Sequence, residues 1–195
     1  TAAALDRTGL GGAVLVVPRT ALDPAAGRLE SDGARLSQGA DWPSVRRIHA
    51  EGIATGDATL EREPPDWDHF DRSHRHDCRL VARSADDTVV GWTALTAYSS
   101  RRVYAGVAWE SVYVAEAARG QGVGRALLEA LIGEAEAAGL WSLMAGVMAE
   151  NSASRALHGR VGFREVGVQR RLGQDARGRW RDVVLLERRS EIVGG

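Results

Sequence analysis

The stretch "SVYVAEAARGQGVGRALLEALIGEAEAAG", residues 111–139, limits what this chain can fold into. An apolar run ends in a loop carrying Gly120, Gly122 and Gly124, and a helical pattern begins with no spacer. Val123, Ala126, Leu127, Ala130, Leu131 and Ala135 recur at helical spacing, and Gly139 stops the pattern. The spacing predicts a helix over 122–138. A strand that hands over directly to a helix belongs to a sheet covered by helices, and the handover is where such a sheet takes a ligand. The first turn of that helix offers free backbone N–H groups and the positive end of the helix dipole. An anion fits there, with Gly122 and Gly124 leaving the backbone bare and Arg119 and Arg125 adding charge. An ordinary tight turn that needs positive φ explains the same glycines, and the loop alone does not separate the two.

Two familiar phosphate loops are excluded. A dinucleotide fingerprint read from Gly120 or Gly122 needs glycine where Arg125 or Leu127 stands. All 25 basic residues are arginine, so a Walker lysine, a Schiff-base lysine and covalent pyridoxal phosphate are out of reach. Phosphate would meet backbone N–H groups and arginine only. Arg119-x-x-Gly122-x-Gly124 after a "VYV" strand remains.

Residues 1–33 are rich in Ala, Gly, Pro and Asp and read as an N-terminal extension with one candidate strand at 13–17. The main domain is expected over 34–190, followed by a short tail at 191–195. "DWPSVRRIHAEG" places Asp41 at an N-cap before an apolar helical pattern. "PPDWDHFDRSHR" suggests a second, short helix. "CRLVARS" and "TVVGWTALTAYS" read as strands around a tight turn, and "AWESVYV" as a third. After the helix come a strand "WSLMAGVM", a short helix capped by Ser152 and stopped by Gly162, and two last strands, "FREVGVQRRL" and "WRDVVLLERR". Hairpins interrupted by crossovers predict an α/β (α+β) fold: a mixed, mostly antiparallel twisted sheet with helices on both faces.

The formal net charge is -1 and no block of like charge stands out, so no nucleic-acid partner is expected. No stretch is long and apolar enough to span a bilayer, and "AVLVVP" at 13–18 lacks the basic flank and cleavage site of a signal core. The single cysteine, Cys78, forms no internal disulfide and reads as buried filler in a cytoplasmic protein. "SHRHD", with His74, His76 and Asp77, lacks further ligands and reads as a polar helix end; no metal is expected.

The loop resembles the pyrophosphate loop of the GCN5-related N-acetyltransferases, whose pattern is Gln/Arg-x-x-Gly-x-Gly/Ala. "AENSASRALHGRVGFREVG" continues the resemblance. More narrowly, "GIATGDATLE", "VVGWTALTAYSSRRVYAG", "SVYV" and "GRWRDVVLLER" are similar to phosphinothricin and methionine sulfoximine acetyltransferases. The likeness covers roughly residues 34–190. It implies the family fold and transfer of acetyl from acetyl-CoA to the primary amine of a small amino-acid-like acceptor, by direct attack in a ternary complex. A detoxifying cytoplasmic homodimer is implied as well. Acetyl-CoA would be held by Val112, Tyr113, Val114, Arg119, Gly120, Gly122, Val123, Gly124, Arg125 and Asn151, with Asn151 at the pantetheine arm.

Such a transfer needs a neutral amine, a stabilised oxyanion and a protonated leaving thiolate. The oxyanion donor is expected at the backbone of Val112 or Tyr113; as strand residues these also suit a core. His158 stands where many relatives carry the tyrosine that protonates the thiolate, and a packing histidine would look the same in sequence. The family glutamate position is Trp109 here, with Glu110 one residue later. On a regular strand that shift reverses the face, so either a bulge returns Glu110 to the site as the base, or the base has moved, or the pocket differs. Trp109 and Tyr113 are expected to line the acceptor pocket. Arg101 and Arg102, before Tyr104, could clamp a carboxylate or lie solvated on a loop. Two other functions stay open: a non-catalytic acetyl-CoA sensor, and a transferase for another amine or a protein N-terminus.

Overall fold

The computed structural model describes residues 40–195. The candidate strand at 13–17 and the domain start at residue 34 lie outside them. Helices α1 (Trp42–Thr55) and α2 (Trp67–Ser73) precede the antiparallel strands β1 (His74–Arg83), β2 (Val89–Ala97) and β3 (Val107–Val114). Then follow α3 (Val123–Ala137), β4 (Ser142–Met148), α4 (Ser152–Arg160), β5 (Arg164–Gln174) and β6 (Trp180–Arg189). The six strands form one sheet in the order β1-β2-β3-β4-β6-β5. Only β3 and β4 pair in parallel, as the α3 crossover between them requires.

Adjacent residues on β2 show how both faces are covered. A Cβ on Gly91 would lie 2.9 Å from Leu127 and 3.1 Å from Val123 of α3, so the missing side chain lets α3 pack directly on the strand. Trp92 points the other way, 5.5 Å from the His49 ring of α1 and stacked at 4.8 Å on Tyr113. Trp92 and Leu127 are both fully buried and anchor the two halves of the core. α4 shares the α3 face: a Cβ on Gly124 would meet Leu157 at 3.0 Å.

One local reading holds with a qualification and two need correction. Asp41 sits at the N-cap of α1 but makes no capping bond through its side chain; its carboxylate pairs with Arg83 across the core edge. Asn151, not Ser152, caps α4, since its side chain accepts from the Ser154 amide at 3.0 Å; the helix starts one residue earlier than a serine cap predicts. Only Ser73 of "SHRHD" ends a helix; α2 stops there and His74 to Asp77 open β1. His74 stacks on Phe70 at 4.1 Å, and burial pushes its imidazole down to about 4.

Candidate active site

β3 and β4 are partners only at Val107–Trp109 and Ser142–Met144. Beyond that, β4 follows β6 and β3 follows β2, so the sheet splits. Which backbone groups the split exposes follows from the β2–β3 register. The Ala115 amide donates to the Val90 carbonyl at 2.9 Å, and the Tyr98 amide to the Val107 carbonyl at 3.2 Å. In an antiparallel pair alternate residues face the partner. Val107, Trp109, Ser111, Tyr113 and Ala115 therefore bond β2, while the backbones of Glu110, Val112 and Val114 face the split. Of the two residues expected to supply an oxyanion donor, the Tyr113 amide is engaged by β2, while the Val112 amide is open to the split.

The split holds a cavity of about 450 Å³, walled by Val112, Tyr113 and Val114 on one side and by Asn151, Ser154 and Leu157 of the α4 region on another. At its mouth the Arg119 Nε donates to the Val114 carbonyl at 3.3 Å. Gly122, at φ 85°, turns the chain into α3 in a conformation that favours glycine. The first amide bonded within that helix is Ala126, to the Gly122 carbonyl. The amides of Val123, Gly124 and Arg125 are thereby left to an anion at the helix N-terminus. Gly124 has a second reason to be glycine, the approach of Leu157. Arg125 is turned aside to Glu129, at 2.7 Å. An open strand edge leading to a bare helix N-terminus suits a long ligand with amides along its arm and a diphosphate at its end, as CoA has.

At the inner end lies a smaller cavity, lined among others by Glu110, Ser111, Gly146, Ser154 and His158. Glu110 Oε1 and His158 Nε2 are 2.7 Å apart, and both side chains are buried. His158 Nδ1 is 2.7 Å from the Ser154 carbonyl, one turn back on α4. A carbonyl only accepts, so Nδ1 carries the hydrogen, and Nε2 shares the second proton with Glu110. Burial alone would lower the imidazole pKa. The hydrogen bond and charge of Glu110, aided by the Ser154 carbonyl, outweigh burial and raise it. Glu110 Oε2 has no hydrogen-bond partner among the described residues.

This geometry alters two expectations. No bulge interrupts the β2–β3 register at Glu110. The side chain reaches the cavity because β4 has already parted from β3, so the α4 face of the strand opens there. Trp109 points to the α1 face and stacks on Tyr98 at 5.7 Å. His158 has both ring nitrogens taken, and no N–H is left free for a thiolate.

The remaining candidates lie apart. Arg101 and Arg102 line neither cavity; both are exposed on the β2–β3 connection, and the Arg101 guanidinium lies 5.3 Å over the Tyr104 ring. Contacts from Tyr104 to Tyr98 and on to Trp109 link that arginine to the strand beside Ser111. Tyr113 faces α1, where burial pushes its phenol pKa up. Cys78 is buried, its thiol pushed up to about 12 by burial, as suits packing and not nucleophilic attack. Among the described residues no group of three or more His, Cys, Asp or Glu is placed to hold a metal ion, and no helix is long and apolar enough to cross a membrane. Sequence reasoning gave no site role to Thr55, at the end of α1, or to Asp57 and Ala58 of the α1–α2 loop, although all three lie within "GIATGDATLE" and wall the larger cavity. It also missed Ser154, whose spacing of four before His158 was legible.

Residues 42–163 match the acetyltransferase (GNAT) family. The chain is 36% identical to phosphinothricin N-acetyltransferase of Alcaligenes faecalis over 163 residues, 79% of this chain and 80% of that one. It is 33% identical to the L-methionine sulfoximine/L-methionine sulfone acetyltransferase of Pseudomonas paraeruginosa over 155 residues, 76% and 88% of the two chains. The fold superposes with a TM-score of 0.72, at 28% identity, on a GNAT superfamily phosphinothricin acetyltransferase from Sinorhizobium meliloti in complex with acetyl-CoA; the match covers 83% of this chain and 93% of that one.

The Glu110–His158 pair has a pH signature. The folded imidazole binds its proton more tightly than the unfolded one, whose ordinary value is 6.5. Its contribution to stability is therefore complete below that value and lost as pH rises through the raised folded value. In Glu110→Gln, burial acts without the carboxylate, and the His158 pKa should fall below 6.5. Imidazole nitrogen shifts followed by NMR read this directly; an unchanged His158 titration would show that the carboxylate does not hold the proton.

Proposed function

The chain belongs to the acetyltransferase (GNAT) family, and from that premise we propose that it moves the acetyl group of acetyl-CoA to the primary amine of a small amino-acid-like acceptor, of phosphinothricin or methionine sulfoximine type. One observation carries the reading: a buried carboxylate with an unpartnered oxygen stands at the inner end of a cleft edged by unpaired amides. The Val112 and Val114 amides run beside the thioester arm, Asn151 lies across from them, and the α3 N-terminus with Arg119 receives the diphosphate.

Attack is direct, in a ternary complex. The neutral amine nitrogen bonds the thioester carbon while the Val112 amide stabilises the oxyanion. The new nitrogen gives a proton to Glu110 Oε2, the carbon–sulfur bond breaks, and Glu110 passes that proton to the departing sulfur. His158 stays protonated throughout and holds Glu110 in place. The acceptor approaches on the Trp109 and Tyr113 face, with Arg101 or Arg102 as the fork for its carboxylate. Across this route the chain needs no nucleophile of its own, in keeping with the inert Cys78.

The assembly is a homodimer in this reading. β5 is exposed on both faces along most of its length, and Val166, Val168, Leu172 and the neighbouring Trp180 are exposed apolar residues. A second copy of the chain would cover them. Light scattering should give twice 20.9 kDa; a monomer at all micromolar concentrations would reject the dimer.

The activity is tested by screening free amino acids and their analogues for CoA release. An acceptor with a carboxylate should turn over, and Arg101→Ala should raise its KM and leave that of acetyl-CoA unchanged. Glu110→Gln should lower kcat about a hundredfold with acetyl-CoA affinity retained. CoA binding without turnover on any amine would favour a sensor module instead, and a best acceptor without an anionic group would remove the arginine clamp.

A further inference from the structure

The wall of the cleft opposite β3 includes the start of the loop between α1 and α2, which belongs to no strand or helix. Its fixing points converge on one side chain. Arg181 of β6 donates from Nη1 to the Gly56 carbonyl at 2.7 Å and from Nη2 to Asp57 Oδ1 at 2.7 Å. The same Nη2 reaches Glu150 Oε2 at 3.1 Å, at the entry to α4. Asp175, in the β5–β6 turn, lies 3.6 Å from Nη1. Asp57 and Glu150 both line the larger cavity. One guanidinium thus ties together two lips of the cleft that lie far apart in sequence. Two smaller contacts support it: Asn151 Nδ2 donates to the Asp57 carbonyl at 3.0 Å, and Leu60 lies over Gly173, where a Cβ would be only 2.7 Å away.

The arrangement is costly for a merely stabilising contact. The Arg181 side chain is 6% exposed, while those of Asp57 and Glu150 are 53% and 59% exposed. Taking a charge out of water roughly cancels what its pairing returns. A planar fork with fixed donor directions does, however, set geometry, which a point charge does not. A loop held before the ligand arrives also loses less conformational freedom when it binds.

We propose that Arg181 is a positioning residue that sets the width of the cleft, and that the cleft grips the pantetheine arm of acetyl-CoA through it. The inference rests on the reading that the cleft receives acetyl-CoA, and it requires neither an acceptor nor turnover. The diphosphate end of the ligand, at the α3 N-terminus, meets none of the residues that Arg181 holds.

Two ligands separate arm from nucleotide: acetyl-CoA, and adenosine 3′-phosphate 5′-diphosphate, which carries the diphosphate but no arm. Titration calorimetry on the full chain should show the acetyl-CoA Kd rising about tenfold in Arg181→Met, with the nucleotide Kd within about twofold of wild type. Arg181→Lys keeps a positive charge among the three carboxylates and guards against loss of the fold in the neutral variant. It should weaken acetyl-CoA about threefold, again without loss of the nucleotide. Equal weakening of both ligands would reveal a general structural role and overturn the proposal, as would full acetyl-CoA affinity in both variants. A wild-type protein that binds neither ligand would overturn the CoA reading itself. Wild-type binding without turnover would touch only the acceptor chemistry.

Discussion

Past Trp109 the backbone of β3 has no strand on its β4 side, and the rest of the site depends on that break. Unpaired backbone groups in a sheet are costly unless something bonds them. Here they edge a cleft instead of a closed ladder. Two strands joined through the α3 crossover pair in parallel for three residues each and then diverge, β3 toward β2 and β4 toward β6. The divergence leaves alternate amides of β3 without a partner strand, free to act as donors in the proposed site.

Two charge clusters flank this break and do different work: the buried Glu110–His158 pair, and buried Arg181 with the half-exposed Asp57 and Glu150. At the inner end Glu110 and His158 share a proton, and the Ser154 carbonyl fixes which imidazole nitrogen faces the carboxylate. The pair stands where removing either partner would leave an isolated buried charge or donor. At the outer side Arg181 draws Asp57 and Glu150 together. The first cluster is arranged around a proton and the second around a distance. Gly124 lets α4 approach α3 between these regions, because a Cβ there would lie 3.0 Å from Leu157.

Much of this was legible in the chain. Period and turn residues place all the elements between Trp42 and Arg189 in their observed order, because each helix or strand carries its own pattern. Alternation along "AWESVYV" correctly puts Trp109 and Glu110 on opposite faces. It does not show that the strand has lost its neighbour by then, and so suggests a bulge that the regular register does not contain. The cap of α4 was misplaced by one residue because Asn and Ser are equally good caps in sequence, and only the bond to the Ser154 amide distinguishes them. Arg181 falls within "GRWRDVVLLER", but nothing in that stretch points to its partners at Gly56 and Asp57, which lie more than a hundred residues away. The α1–α2 loop shared in the resemblance through "GIATGDATLE", but its place as a wall of the cleft was not legible, because loops are held by others' side chains.

Amide hydrogen exchange resolved at single residues of β3 tests the open strand edge most directly. The Tyr113 and Ala115 amides, bonded to β2, should be protected with or without ligand, while those of Val112 and Val114 exchange freely in the unliganded protein and slow markedly when acetyl-CoA is added. Val112 and Val114 amides that are already protected without ligand, or that gain no protection from acetyl-CoA, would contradict the cleft as the place where the cofactor arm is bound.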